Sequence, residues 1–200
     1  MKKKIWLSAV LLLLTLPVSY PALAETPTSF VKGILDGVLA IQNDPALASA
    51  SQEPARARAI RQIIQKNFDF SLMARNSLGP TYGRLSAGQR REFQEIFAAL
   101  FQDSYTRMVL NFLKQETIKY QQERQDQERA RVNTTIIRTN EAIPVEYLML
   151  RQGQGWRLYD VVVDGVSILD NYQKNFAQVI KSNSFDFLLG KMKTQYRAIQ

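Results

Sequence analysis

The sequence predicts an α+β domain in which a curved, four-stranded antiparallel sheet is covered by helices. Three observations carry this. Apolar residues recur at helical spacing up to about Lys114, alternate with polar ones between Thr117 and Val163, and return to helical spacing beyond Asp170. The alternating segments are joined by short polar or Gly-containing links, which suit neighbouring antiparallel strands. No stretch repeats at a fixed period, so the chain reads as one domain rather than an array.

The first element is a targeting signal. Lys2, Lys3 and Lys4 precede an apolar run from Ile5 to Leu16, and Ala22, Leu23 and Ala24 place small residues where a signal peptidase cleaves. The run has 12 residues, short of the roughly 20 that span a bilayer, so residues 1–24 are expected to be removed. No Cys follows the cleavage point to take a lipid anchor. The expected domain is therefore 25–200, exported from the cytoplasm.

Helices follow. Thr26 or Thr28 can cap a helix reaching about Ile41, with Phe30, Ile34, Val38 and Ile41 along one face. Pro45 and Pro54 bracket a loop, and residues 55–66 place Ile60, Ile63 and Ile64 inward with arginines outward. A short helix near 70–77 ends at Gly79-Pro80. Ser86 with Gln89 three residues on forms a capping box. It opens a long helix to about Lys114 whose stripe runs through Phe93, Phe97, Phe101, Tyr105, Met108, Val109 and Phe112.

Segments 117–122, 130–139, 142–151 and 156–163 read as the four strands. Gly153 and Gly155 mark the clearest hairpin turn, and Pro144 suggests an edge or a bulge. Both faces of 142–151 are apolar: Ile143, Val145, Tyr147 and Met149 on one, Leu148 and Leu150 on the other. After Asp164-Gly165, two helices near 170–181 and 185–196 close the chain.

Composition removes many activities. The chain has no Cys and no His, which excludes disulfides, Ser-His-Asp and Cys-His nucleophiles, and nearly all zinc or copper sites. It has no phosphate-binding glycine loop and no dinucleotide fingerprint. Asp160 and Asp164 flank the last strand as a conceivable carboxylate pair, but Asp-Gly is foremost a turn. The net charge is +8, and losing the three signal-peptide lysines leaves +5. In an exported protein that mild excess suits acidic partners or anionic membrane surfaces more than nucleic acid. The arginine clusters at 56–61, 90–91 and 124–131 read first as solvated faces. By pattern alone, the long stripe and the apolar strands either pack shut or enclose a ligand.

Residues 156–176, WRLYDVVVDGVSILDNYQKNF, resemble the signature of the MlaC family, also called the toluene-tolerance or ABC-transporter auxiliary family. The match runs through Trp156, Tyr159, Asp160, Val163, Asp164, Gly165, Val166, Ser167, Asn171, Tyr172 and Phe176. A second block agrees, from Phe68, Asp69, Phe70, Met73 and Ala74 through Leu78, Gly79, Leu85, Ser86, Gln89 and Arg90 to Phe93, Phe97 and Tyr105. The departures are Asn175, where the family often has Gln, and the Gln-rich charged hairpin 121–131.

The resemblance implies an NTF2-like sheet whose helical cover encloses an apolar cavity for phospholipid tails. It further implies a periplasmic, monomeric carrier with no cofactor beyond lipid cargo. Such a carrier meets an inner-membrane ABC complex with an MCE-domain ring and an outer-membrane lipoprotein-porin complex, keeping the outer membrane's lipids asymmetric. Pattern and resemblance together assign the lipid-binding positions to Tyr105, Val109, Val145, Tyr147, Met149, Val161, Val163, Val166 and Ile168. Asp164, Gly165, Ser167 and Asn171 are assigned to a turn and a helix cap. Two rivals remain at this point. One is an NTF2-like enzyme holding a small apolar ligand beside Asp160 or Glu146. The other is an adaptor whose cavity is packed shut.

Overall fold

A computed structural model describes residues 25–200; the expected signal peptide, residues 1–24, lies outside them. Helix α1 (Pro27–Gln42) starts at Thr26, whose hydroxyl accepts from Ser29 N–H at 3.1 Å. Thr28 is not the cap; its N–H instead donates to Glu123 at 2.8 Å, tying the helix start to the sheet. Two 3₁₀ turns lead into α2 (Glu53–Asn67). Pro54 sits in its first turn rather than in the loop, because the missing N–H there would be unpaired anyway. The same reason explains α4 (Pro80–Arg84), a helix where the sequence marked only a stop after α3 (Phe70–Leu78).

Helix α5 (Ala87–Phe112) carries the expected capping box, with Ser86 and Gln89 bonding reciprocally. Strands β1 (Thr117–Gln125), β2 (Arg129–Arg138), β3 (Glu141–Gln152) and β4 (Gly155–Val163) form an antiparallel meander in sequence order. A fifth strand, β5 (Val166–Ser167), was not expected, since two residues are too few to show a period. Helices α6 (Ile168–Ser182) and α7 (Phe185–Ala198) finish the fold.

Strand β3 is internal, so Pro144 marks neither an edge nor a bulge. Its carbonyl accepts from Asp164 N–H at 2.9 Å. The missing N–H of the same residue lies on that side too, next to the turn that follows the end of β4 at Val163, so the proline costs at most one bond at the end of the ladder. Bulges occur instead in β1, between Tyr120 and Glu123, and in the β3–β4 pairing beside Leu148 and Met149. They sharpen the bend of the sheet. The turn after β4 uses Asp164 and Gly165 at φ 48° and 77°. Asp160 is buried with its oxygens taken by Val161, Ser167 and Leu169, whereas Asp164 serves the turn, so the two do not act as a carboxylate pair.

Two cores result. One is helical: Phe93, Phe97 and Phe101 of α5 pack with Phe176 and Leu169 of α6, Leu188 and Met192 of α7, and Met73 of α3. The other lies between α1 and the inner face of the sheet, where Phe30, Val31 and Leu35 meet Val132, Met149, Trp156 and Leu158. Helix α1 covers only one end of that face, and the other end is left for the site.

Candidate functional site: an apolar cavity between sheet and long helix

At the uncovered end the register aligns Ile136 with Ile143, Val145 with Val163, and Tyr147 with Val161, all on the inner face. The β3–β4 bulge makes this possible. Met149 pairs with Leu158 while Leu148 pairs with Asp160, so the phase of β4 shifts and both Leu158 and Val161 face inward. Opposite the strands stands the second half of α5, contributing Phe101, Tyr105, Met108, Val109 and Phe112. Ile34, Leu35 and Val38 of α1, Ile63 and Ile64 of α2, Phe68, Leu113 and Ile168 complete the wall around a cavity of about 320 Å³. That volume is at the low end of ligand pockets, roughly 300–1,000 Å³. The cavity reaches solvent beside Met108 and Phe112, which are 37% and 54% exposed.

The far end of α5 is held firmly. The Gln42 side-chain amide donates to the carbonyls of Val109, Leu110 and Leu113 at 2.9–3.2 Å, sharing the first with Leu113 N–H and supplying a donor to the last two at the helix end. Phe101 and Tyr105 stack with ring centroids 4.0 Å apart. Burial pushes the phenols of Tyr105 and Tyr147 well above their ordinary range, so both are neutral at any physiological pH. Among the described lining residues, only Arg138 bears a charge.

Seven of the nine positions assigned from sequence line this cavity: Tyr105, Val109, Val145, Tyr147, Val161, Val163 and Ile168. Two do not. Met149 is on the inner face but fully buried in the core beneath α1. Val166 pairs with Val163 yet is 62% exposed, because β5 is a two-residue edge strand with nothing packed outside it. The assignment omitted Phe101, Met108 and Phe112, although they share the helical stripe, and Ile143 and Ile136, which are in phase with Val145. It also omitted Ile34, Leu35 and Val38, whose part depends on where α1 docks.

The carboxylates considered for catalysis are otherwise engaged. Asp160 accepts from Val161 N–H at 2.8 Å, Leu169 N–H at 3.0 Å and Ser167 Oγ–H at 2.6 Å, which secures the start of α6. Ser167 caps α6 as expected, accepting from Asp170 N–H. Glu146 faces away from the cavity and pairs with Arg131 at 3.1 Å. Several clustered arginines also have local work: Arg61 pairs with Asp103, and Arg90 donates to the carbonyls of Tyr82 and Gly83. Broader depressions mix polar and apolar walls: one of about 450 Å³ sets Asp103, Arg107 and Gln195 beside Phe97, Leu100 and Phe176, and one of about 820 Å³ carries Asp69, Arg75, Glu128 and Arg151. Each sets charged groups against any apolar ligand, which the cavity between sheet and α5 does only at Arg138. No group of three or more His, Asp or Glu is placed to hold a metal among the described residues.

Comparison with known proteins bears on what such a cavity holds. A family model described as "MlaC protein" matches residues 32–194. The intermembrane phospholipid transport system binding protein MlaC of Haemophilus influenzae is 28% identical over 148 residues, covering 71% of this chain and 69% of that one. The toluene tolerance protein ttg2D of Pseudomonas putida is 25% identical over 179 residues, covering 87% and 83%. Among solved structures, the phospholipid-binding protein from Ralstonia solanacearum, in complex with a phospholipid, superposes with a TM-score of 0.71. It is 23% identical, over 88% of this chain and 97% of that one, and shares the fold.

Proposed function

Because the chain belongs to the MlaC family, we propose that it is a periplasmic phospholipid carrier whose cavity between the sheet and α5 takes the acyl tails. The observation that carries the proposal is the cavity itself: among the described residues its lining is apolar or aromatic except for Arg138, and it is open to solvent at one end beside Met108 and Phe112. The names of the relatives from Haemophilus influenzae and Ralstonia solanacearum, which specify phospholipid, support the choice of ligand.

The energetics suit a carrier. Burying an acyl chain is worth about 0.8 kcal/mol per methylene, or roughly 12 kcal/mol for a chain of some fifteen. Free lipid in water is therefore negligible, and transfer between membranes needs an apolar container about as favourable as a bilayer. A cavity much better than a bilayer would never release its cargo. The reaction is a change of environment with no bond made or broken, and the engaged carboxylates of Asp160 and Glu146 fit that description.

In this reading residues 1–24 are a signal peptide removed on export, and residues 25–200 act as one monomeric lipid-binding domain. The carrier exchanges lipid with an inner-membrane ABC complex bearing an MCE-domain ring and with an outer-membrane lipoprotein-porin complex, preserving outer-membrane asymmetry. The test is native mass spectrometry of protein purified from a bacterial periplasm, followed by lipid extraction. One phospholipid per chain is expected. A clean apoprotein that also fails to take up lipid from vesicles would refute the proposal.

A further inference from the structure

Strand β2 places Ala130, Val132, Thr134 and Ile136 on the inner face, and in the same phase its last residue is Arg138. A charge in phase with an apolar face breaks the pattern that the rest of the strand keeps, and such breaks tend to mark function. Arg138 stands where the cavity meets solvent. Its guanidinium carbon is 5.3 Å from the ring centroid of Phe112, and the side chain is 31% exposed.

Its Nε pairs with Glu116 Oε1 at 3.3 Å. Glu116 is itself anchored, for its other oxygen accepts from the backbone N–H of Gln115 at 3.0 Å and of Lys114. Burial pushes the Glu116 carboxyl up, but those backbone donors and Arg138 outweigh it and hold the carboxyl below its ordinary range. Glu116 is thus a fixed anion that orients one edge of the guanidinium. A guanidinium has a second edge, formed by the two terminal nitrogens, suited to two oxygens of a phosphate. Among the described residues those nitrogens have no hydrogen-bond or ion-pair partner.

We propose that Arg138 binds the phosphodiester of an amphiphile whose tails occupy the cavity, with Glu116 and the Phe112 ring holding the guanidinium in place. This rests on the carrier reading and narrows it. Tails alone would not distinguish a phospholipid from diacylglycerol, which has the same tails and no phosphate. An arginine at the mouth supplies that discrimination, yet ignores whatever alcohol is esterified beyond the phosphate. The carrier would accept phosphatidylglycerol and phosphatidylethanolamine alike and discriminate against neutral diacylglycerol.

The test offers vesicles containing equal amounts of phosphatidylglycerol, phosphatidylethanolamine and diacylglycerol with matched acyl chains to the wild-type protein and to Arg138→Gln. Native mass spectrometry reads the ratio of phospholipid to diacylglycerol per folded chain. The wild type is expected to favour either phospholipid by about tenfold, the scale of one charge-assisted contact, and Arg138→Gln to bring the ratio close to one. Arg138→Met, which keeps the apolar stem, serves if the Gln variant melts early. A wild-type ratio near one, or a preference that survives in both variants, would overturn the role of Arg138 and leave the carrier reading standing. A wild type that takes up none of the three lipids would overturn both.

Discussion

Replacing Val161 by glutamate puts a carboxylate on the cavity wall opposite Tyr147, two residues from the Val163–Val166 pair. In the empty protein water can solvate the carboxylate through the open mouth. When acyl tails enter, the charge must be stripped of water or neutralised. Neutralisation is the cheaper route. Binding a proton at pH 7 to a group with an ordinary pKa near 4.3 costs about 3.7 kcal/mol. Lipid affinity should therefore fall by roughly 500-fold at pH 7. The loss should shrink about tenfold for each unit of pH removed, approaching the wild type near pH 4.

Lipid uptake from vesicles, read by native mass spectrometry between pH 4 and 7, measures this, with a thermal melt to establish that the variant is folded. Val166→Glu is the matched control: the side chain is 62% exposed, so uptake should stay within about twofold of wild type, since an exposed surface charge is nearly neutral. A folded Val161→Glu protein that fills with lipid at pH 7 as the wild type does would refute the placement of tails in this cavity. A Val166→Glu variant that loses uptake would move the site toward β5.

Four further outcomes are expected. Asp160→Ala should lower stability by about 2–4 kcal/mol in chemical denaturation, because the buried N–H groups of Val161 and Leu169 lose their acceptor. Burial, opposed by the bonds from Ser167, Leu169 and Val161, holds the Asp160 carboxyl above its ordinary range. The folded chain thus keeps a proton that the unfolded chain has lost, and this group favours folding more as pH falls through its folded-state value toward the ordinary value near 4. Relative to Asp160→Asn, the wild type should be more stable at pH 4 than at pH 7, and an unchanged gap would count against the burial argument. Met149→Ala should cost about 2–5 kcal/mol, with lipid uptake by the folded fraction preserved, since Met149 is in the α1 core rather than the cavity wall. Ser86→Ala should cost about 1 kcal/mol in a thermal melt by removing the cap of α5.

Local chemistry made much of the fold legible. The Ser86–Gln89 box, the Gly153 turn at φ 60° and the change from helical to alternating periods each act within a few residues, so one segment suffices to read them. Phase and coverage were harder. Strict alternation along β4 would put Leu158 with Asp160 and against Val161, and only pairing with β3 shows that a bulge brings Leu158 and Val161 to one side. Met149 and Val145 share a strand face, and what separates core from cavity is how far α1 reaches across the sheet. That reach is set by distant contacts such as Thr28 with Glu123. Arg138 was missed because it stands alone, and the basic residues had been weighed as clusters.

One element ties stability to function. Helix α5 has 26 residues, about 39 Å at 1.5 Å per residue, longer than the helical core needs. Its first half is locked by Phe93 and Phe97 against α3, α6 and α7, and Phe101 marks the boundary between that core and the cavity wall. Its second half extends past that core to face the sheet across the cavity, and Gln42 of α1 holds its end. A wall built this way is anchored by packing that cargo never touches. On the carrier reading, lipid would enter and leave while Phe93 and Phe97 remain buried, and the empty protein would keep its helical core. A chain that closed the cavity with its main core would have to give up several buried aromatics, at about 3–5 kcal/mol each, every time the cavity opened. Placing the aromatic ladder at one end of α5 and the cavity at the other separates the two demands, and it accounts for a helix longer than either task alone requires.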